Sequence, residues 1–322
     1  MPDPSSPLPG PGQGGADKPV HIAAMAHGET ATGPSGADTV GKPRSLWSDA
    51  WHDLRRRPVF LLASALIAFL VVVAIAPGLF TGSDPTFCDL SRSNQTPSAS
   101  APFGYNKQGC DIYARVLYGA RPSIAVGILV SLGAVLVGGT IGALAGFYGG
   151  VVDSVLSRFA DVFFAIPLLL GGIVFLSVFP DRNLWTVVAA LVVLGWPQLT
   201  RIMRGAVISV RDADFVTAAR ALGASNRRIL LRHILPNALA PVIVIATINL
   251  GIYIVVEATL SFLGIGLPPT TVSWGGDISS AQSSLRTAPH VLMFPAAALS
   301  LTVLSFIMLG DAVRDALDPR LR

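Results

Sequence analysis

Two short motifs in the sequence have residue types that could carry chemistry. GADTVGKP, residues 36–43, resembles a phosphate-binding loop, but Pro43 stands where a Ser or Thr would hold magnesium, and no strand precedes it. GASN, residues 223–226, resembles an intramembrane serine protease motif, but Ser225 lies in a basic segment outside the apolar stretches. The HExxH, GxSxG and paired CxxC patterns are also absent from the sequence. We therefore expect no catalytic residues, no metal and no cofactor in this chain.

Polar residues inside apolar stretches are the second kind of candidate. Ser157, Arg158 and Asp161 share one face of a helix-length stretch, where Arg158 and Asp161 can pair at i, i+3. Asn249 and Glu257 lie within a later apolar stretch. Charged residues at membrane depth usually face the bundle interior or a water-filled path. Two interpretations stay open: these residues line a solute pathway or its gate, or they hold the helices together.

These polar residues can line a solute pathway only if the apolar stretches around them cross a membrane. The 322-residue chain is 52% hydrophobic and only 13% charged, with a mean hydropathy of +0.60, whereas a soluble domain has about 25% charged residues. Six apolar stretches reach the roughly 20 residues that cross the hydrocarbon. They are approximately residues 58–80, 123–147, 152–178, 184–208, 241–265 and 290–310. The sequence predicts an all-α integral membrane protein with six transmembrane helices.

The distribution of basic residues predicts the orientation. With both termini on one side, only six of the 23 Lys and Arg residues fall in the outer segments. They are Arg92, Lys107, Arg115, Arg121, Arg182 and Arg286. Because cytoplasmic segments are enriched in Lys and Arg, both termini are predicted to be cytoplasmic.

The terminal segments differ in composition from the spans. Residues 1–44 are rich in Pro, Gly, Ala and Ser and predict a disordered cytoplasmic tail. Residues 45–57 place Trp47 and Trp51 on one helix face and end in three arginines, which is typical of an amphipathic helix in the membrane interface. The alternative is the frayed start of the first span. Residues 311–322 are expected to be a cytoplasmic C-terminal tail.

Both cysteines, Cys88 and Cys110, fall in the same predicted extracytoplasmic loop, residues 81–122. That compartment permits disulfides. We predict a Cys88–Cys110 bridge that tethers this loop; the alternative is two unrelated thiols.

The stretch TAARALGASNRRILLRHILPN, residues 217–237, is basic and lies between the fourth and fifth spans. Its pattern predicts two short amphipathic helices about an elbow at Gly223, with Ser225 as the second N-cap. Phe215, Ala218, Ala219 and Leu222 are expected to form the first apolar face. Pro236 and Pro241 are expected to kink the chain into the fifth span. Two interpretations compete: binding to anionic lipid, or docking of a cytoplasmic partner.

This stretch resembles the EAA loop of the permeases of ABC importers. Thr217 stands at the position of the Glu, Ala218 and Ala219 match the two alanines, Gly223 matches at the family spacing, and Leu235-Pro236 close the motif. The resemblance implies that the loop, residues 211–236, docks the ATPase. The residues expected to couple to it are Thr217, Ala218, Ala219, Arg220, Gly223, Ser225, Arg228, Leu235 and Pro236. Thr217 departs from the pattern by lacking a carboxylate.

Four further segments resemble the C-type permease subunit of dipeptide and oligopeptide importers. They are FGYNKQGCDIYARVLYGARPS (103–123), VDSVLSRFADVFFAIPLLL (152–170), EATLSFLGIGLPPTTVSWG (257–275) and LGDAVRDALDPRLR (309–322). The resemblance covers residues 45–322. Cys110 replaces the usual Arg, a departure that supports the bridge to Cys88.

The resemblance implies a type I ABC importer permease fold with its core at residues 123–310, in a bacterial plasma membrane. It implies four partners: a second permease, two cytoplasmic ATPases that bind ATP and magnesium, and an extracytoplasmic peptide-binding protein. No nucleic acid is expected. The implied function is import of di- or oligopeptides, with a nickel, glutathione or haem importer as the alternative. A stand-alone secondary transporter would show paired inverted repeats, and the sequence has no convincing repeat.

Overall fold

A computed structural model describes residues 51–52 and 54–317. The predicted tail 1–44, the end of the predicted tail 311–322 and most of the interfacial helix 45–57 lie outside the described residues. The regular elements within the described part are helices. Besides short 3₁₀ helices at Pro77–Leu79, Leu90–Arg92 and Gln282–Ser284, those that follow Arg57 are α1 (Pro58–Ile75), α2 (Ile112–Tyr148), α3 (Gly150–Phe164), α4 (Leu168–Ser177), α5 (Leu184–Arg211), α6 (Asp214–Ala221), α7 (Asn226–Phe262), α8 (Trp274–Ala281) and α9 (His290–Leu317).

Five of the described helices, α1, α2, α5, α7 and α9, are long and apolar enough to cross a membrane. The pair α3 and α4 also qualifies if it is counted as one span, which gives six. This agrees with the number of spans predicted from hydropathy. The helix ends differ, because hydropathy reports the apolar part of a helix and the described helices continue beyond it.

Local chemistry explains where several helices begin and end. The first predicted span, 58–80, stops as an α-helix at Ile75, since Pro77 opens a separate 3₁₀ turn. The second predicted span, 123–147, begins as a helix at Ile112, where the Asp111 carboxylate accepts from the backbone of Tyr113 and Ala114. The sixth, predicted at 290–310, continues as helix to Leu317.

The third predicted span, 152–178, is not one straight helix. Helices α3 and α4 meet at an angle of 79° across residues 165–167. Pro167 stands at the N-cap of α4, and proline disfavours the helical conformation of the residue before it. The bend therefore follows from a local signal that the hydropathy profile does not carry.

Helix α7 corrects the prediction of a separate second short helix, because no break separates that helix from the fifth span. The helix is continuous from Asn226 to Phe262, and its segment Ile229–Ile234 is a π-helix. Proline has no N–H to donate to the helix ladder, and a π-helical turn is one way to absorb an irregular ladder. The expected fifth span, 241–265, is thus the outer part of a longer rod.

Glycines allow α2 and α5 to lie in close contact. A Cβ added at Gly138 would be 2.4 Å from the Trp196 carbonyl oxygen, and one at Gly142 would be 2.4 Å from the Thr200 carbonyl oxygen. Gly146 continues the same stripe. This four-residue spacing is the small-xxx-small pattern of membrane helix packing. The main hydrophobic core forms around this contact and extends to α6 and α7.

The bundle has two ends that differ in chemistry. We call the end with residues 76–111 and 263–289 the disulfide end, because Cys88 and Cys110 are joined there by a disulfide. We call the opposite end, with residues 212–235, the basic end. The segment 212–235 itself is called the basic segment.

Candidate functional site

The elbow of the basic segment is built by its own backbone. Gly223 has φ +78°, a conformation that glycine adopts without a steric penalty. The Gly223 N–H donates to the Arg220 carbonyl (3.0 Å), and the Ala224 N–H donates to the Ala219 carbonyl (3.1 Å). This pair of bonds is the Schellman motif that ends α6. Ser225 then caps α7 by accepting from the Arg228 N–H (3.4 Å).

Most of the apolar residues of helix α6 are exposed, and one is buried. Val216, which is fully buried, anchors the helix to the core beside Ile229 and Ile234. Phe215 is exposed, and Leu222 is 88% exposed. The apolar face predicted from Phe215, Ala218, Ala219 and Leu222 is therefore not the buried face, because the single buried residue of α6 is Val216. These exposed apolar side chains lie outside the candidate spans, so they are available for contact with a partner.

The exposed surface of the basic segment also carries positive charge. Arg220, Arg227, Arg228 and Arg232 are exposed, and none of the salt bridges within residues 51–52 and 54–317 involves them. Thr217, Ala218 and Pro236 are exposed as well, whereas Ala219 and Leu235 are half-buried. A segment that exposes both apolar side chains and arginines suits a protein interface, where aromatic residues, Met and Arg are enriched.

The predicted polar face of the third span makes different ion pairs from those expected. Asp161 accepts from Arg201 of α5 at 2.8 Å and does not pair with Arg158, which is exposed. Arg204 makes a two-pronged contact to Asp153 (2.5 and 2.6 Å). Helix α5 packs beside α3 and brings its guanidinium groups within reach, and two-pronged geometry favours such a pair over an exposed i, i+3 contact.

Sequence reasoning did not identify Asp153, Arg201 or Arg204 as one cluster. Ser157, predicted for a pathway, donates to Asp153 (3.0 Å) and belongs to it. The available signal was the spacing: Asp153 and Ser157 are four residues apart on α3, and the two arginines are three apart on α5. Stripes of opposite charge on two helices indicate a contact only once the helices are known to be neighbours.

Asn249 is the predicted pathway residue that lines a cavity. The cavity, of about 240 Å³, lies against the bend between α3 and α4. The Asn249 side-chain amide donates to the Gln198 Oε1 (3.1 Å), and Gln198 lines the same cavity. Tyr253 also lines it and donates to the Gly195 carbonyl (3.4 Å). Polar groups in an otherwise apolar recess are the arrangement that orients a bound ligand.

Glu257 is fully buried, with 0% of its surface exposed. Its Oε1 accepts from the Ser261 hydroxyl (2.8 Å), and that hydroxyl in turn accepts from the Leu267 N–H (3.0 Å). Oε2 has no hydrogen-bond partner among the described residues. The carboxyl group thereby ties the end of α7 to the turn that follows it. This geometry supports a positioning role over direct contact with solute.

We expect Glu257→Gln to retain transport and thermal stability. The glutamine carbonyl can still accept from Ser261, so the link to Leu267 survives. Glu257→Leu is expected to lose about 1–3 kcal/mol of stability, because it leaves the buried Ser261 hydroxyl without its acceptor. Uptake assays and thermal unfolding of both variants give the comparison. Loss of uptake by a stably folded Gln variant would show that the charge itself is needed.

The disulfide end is held together by contacts between the loop, α2, α8 and α9. Arg115 donates from Nε to Asp277 (2.8 Å) and from Nη1 to the Pro85 carbonyl (3.1 Å), so it joins α8 to the loop. The Phe103 ring stacks on Phe294 of α9 with centroids 3.9 Å apart. The predicted loop 81–122 is therefore an ordered cover over α8 and α9, and its last part is the first turns of α2.

The Arg115–Asp277 pair was not identified from the sequence, and it gives a second prediction. Burial raises the pKa of Asp277, while Arg115 opposes that shift. We expect Arg115→Met alone to destabilise the protein by about 3 kcal/mol, since it leaves a buried carboxylate unpaired. The double variant Arg115→Met/Asp277→Leu should recover most of that loss. Thermal unfolding in detergent tests this, and equal stability of the two variants would contradict it.

The fold and the sites together define a class of protein. The described residues hold no cluster that could bind a metal ion. They form a bundle of candidate membrane spans with a polar-lined recess at a broken span and an outward-facing basic segment at one end. This arrangement defines a polytopic membrane protein with a polar-lined recess and an exposed basic surface.

Comparison with known proteins identifies the family. A model described as "Binding-protein-dependent transport system inner membrane component" matches residues 138–322. A second model, described as "N-terminal TM domain of oligopeptide transport permease C", matches residues 45–97. The chain belongs to the family of inner membrane components of binding-protein-dependent transport systems. It is a permease subunit of an ABC importer and not an enzyme.

Curated relatives match nearly the whole chain. The dipeptide transport system permease protein DppC of Alkalihalophilus pseudofirmus is 37% identical over 86% of this chain and 91% of its own. The glutathione transport system permease protein GsiD of Pectobacterium atrosepticum is 36% identical, covering 87% and 93%. The oligopeptide transport system permease protein OppC of Bacillus subtilis is 36% identical, covering 87% and 92%.

Solved structures support the fold. Chains of the MetNI methionine ABC transporter in inward-facing conformations align with TM-scores of 0.51 and 0.54 in two crystal forms. Each alignment covers 63% of this chain and 96% of the other, at 19% sequence identity. The similarity confirms the predicted type I ABC importer permease fold and says nothing about the solute.

Proposed function

We propose that this permease subunit serves the import of short peptides. The observation that carries the proposal is the set of relatives: the dipeptide, oligopeptide and glutathione permeases named above all match over about 86–87% of the chain. Glutathione is itself a tripeptide, so import of glutathione is a second candidate within the same chemistry. The proposed solute is a short, zwitterionic peptide.

The basic segment is proposed to be the docking surface for a cytoplasmic ATPase. Its apolar residues Phe215 and Leu222 are exposed, and four exposed arginines of the same segment make no salt bridge within the described residues. Val216, Ile229 and Ile234 fix this surface to the core. Because α6 is packed against the core on one face and exposes apolar side chains on the other, a partner bound to the exposed side chains can move the bundle. ATP and magnesium belong to that partner in this proposal.

The recess at Asn249 is proposed to be this subunit's contribution to the solute pathway. Gln198 and Asn249 present amide groups there, and amides can bond both the carboxylate and the amide groups of a peptide. Ser157, Arg158 and Asp161 are proposed to lie nearer the basic end of the same route. A second permease would supply the facing half, and a peptide-binding protein would deliver solute at the disulfide end.

The orientation is part of the proposal. The basic end faces the cytoplasm and the disulfide end faces outward, in accordance with the charge bias of the sequence and with a disulfide in an oxidising compartment. The protein would then lie in a bacterial plasma membrane with both termini cytoplasmic.

Purification of the tagged chain in mild detergent tests the assembly. We expect an ATPase and a second permease to co-purify, and the complex in vesicles to take up labelled di- and oligopeptides when ATP is supplied inside with the binding protein outside. Labelled glutathione in the same assay distinguishes the second candidate. Uptake by the chain alone without ATP would overturn the proposal in favour of a secondary transporter.

A further inference from the structure

An apolar cavity lies at the disulfide end between α1, α2, α8 and α9. Its volume is about 300 Å³, which is at the lower end of the range for ligand pockets. Of the described residues that line it, none is charged. The transport mechanism proposed above does not use this cavity, because the recess at Asn249 is lined by α3, α4, α5 and α7 and shares no lining residue with it.

The polar atoms in the cavity wall already have partners. The Tyr113 hydroxyl donates to the Phe80 carbonyl (3.3 Å), and the Trp274 indole N–H donates to the Val116 carbonyl (2.8 Å). A site without free donors or acceptors does not hold ordered water. A polar solute would also lose its hydration there without compensation. A hydrocarbon is the kind of occupant that this wall can accept without an unpaired polar group.

The exposure of the lining residues locates the mouth. Trp274, deep in the cavity, is 1% exposed, whereas Phe69 of α1 is 50% exposed and Leu301 of α9 is 44% exposed. Ala297, one turn from Leu301, is exposed too. Both α1 and α9 are candidate membrane spans, so the mouth opens sideways between them. Phe69 lies in the half of α1 nearer the disulfide end, so the mouth faces the lipid of that leaflet.

Aromatic contacts brace the walls of the cavity. Phe69 meets Phe80 edge-on with centroids 5.7 Å apart, and Phe103 meets Tyr113 in the same way at 5.1 Å. Phe103 also stacks on Phe294. These ring pairs link α1, α2 and α9 through the ordered loop. The walls of the cavity are therefore held in place by contacts between these elements.

We infer that this cavity binds one acyl chain of a phospholipid from the leaflet adjoining the disulfide end. The mouth of the cavity opens toward lipid, and the polar atoms of its wall already have hydrogen-bond partners. Its volume suits a single acyl chain. A partner's helix, about 10–12 Å wide with its side chains, does not fit. The binding does not depend on the headgroup, because the lining has no charge to recognise one.

Quenching of Trp274 by brominated lipid tests the inference. A variant that keeps Trp274 as its only tryptophan is reconstituted into vesicles of phosphatidylcholine with brominated acyl chains, and its emission is compared with that in unbrominated vesicles. We expect Trp274 to lose most of its emission although it is buried. Brominated phosphatidylglycerol should give the same loss. Quenching with one headgroup only would overturn the headgroup-independent binding.

Two single-tryptophan controls set the scale. Trp185 is exposed and should be quenched, whereas Trp196, which is buried against Phe159 and Phe163, should not be. If Trp274 is quenched no more than Trp196, the inference is wrong.

A blocking variant tests the mouth. In the Trp274-only protein, Ala297→Phe should lower the quenching to the level of the Trp196 control. Leu304→Phe, at an exposed site on the same helix outside the cavity lining, should leave it unchanged. Unchanged quenching in a folded Ala297→Phe protein would show that the chain does not enter between α1 and α9. Emission of Trp185-only counterparts and size-exclusion profiles report whether each variant is folded.

Discussion

Gly142→Val is expected to prevent stable folding of the permease. A Cβ at position 142 would lie 2.4 Å from the Thr200 carbonyl oxygen and 2.9 Å from the Met203 Cβ. The carbonyl belongs to the backbone of α5 and cannot rotate away, so α2 and α5 must move apart to admit the side chain. Overpacking a well-packed core typically costs about 1–3 kcal/mol of stability. Because valine is branched at Cβ, we expect the loss to reach or exceed the upper end of that range. The measurement is thermal stability in detergent together with accumulation in the membrane.

Gly139→Ala on the same helix is the matched control. A Cβ at Gly139 meets only the Met203 Cε at 3.6 Å, an ordinary contact. Alanine is preferred to glycine in a helix by about 1 kcal/mol, so this variant should be at least as stable as the wild type. Wild-type stability of Gly142→Val would show that α2 and α5 do not approach as closely as described.

Leu222→Asp is expected to abolish transport while leaving the subunit folded. Leu222 is 88% exposed, so a carboxylate there costs the isolated chain little. In the complex the same carboxylate would enter the apolar centre of the proposed ATPase contact. Losing one central anchor costs about 2 kcal/mol or more, which is over tenfold in affinity. Co-purification of the ATPase and peptide uptake should both fall at least that far.

Thr217→Glu separates loss of the apolar contact from addition of charge. It adds the same charge to the same helix, at an exposed position where the EAA pattern has a carboxylate. We expect it to retain docking and uptake. If both variants lose the ATPase, negative charge on this surface is the cause, and if neither does, the basic segment is not the docking surface.

Features that depend on local sequence were predictable. The apolar stretches predicted the number of spans, and the four-residue spacing of Gly138, Gly142 and Gly146 is itself a local pattern typical of close helix packing. The elbow at Gly223 was predictable because the Schellman motif involves only residues 219–224. In each case the interacting groups are close in sequence, or a single residue type determines the geometry.

Features that depend on which helices are neighbours were not predictable. Arg204 and Asp153 are 51 residues apart, and Arg115 and Asp277 are 162 apart. A favourable i, i+3 spacing on α3 suggested the wrong partner for Asp161, since the competing Arg201 lies on another helix. For a related reason, the sequence identified the apolar face of α6 but not that most of this face is exposed. Amphipathic spacing identifies a face but not whether the protein or a partner covers it.

The continuity of α7 couples the two ends of the molecule mechanically. A helix of 37 residues is about 55 Å long. It begins in the basic segment at Asn226 and ends at Phe262, one residue past the hydroxyl that Glu257 holds. The helix contains the π-helical segment Ile229–Ile234 and the prolines Pro236 and Pro241, which are points where a helix can bend. A movement imposed at Asn226 can therefore be transmitted along α7 or absorbed within it, so residues 229–241 determine how much of that movement reaches the disulfide end.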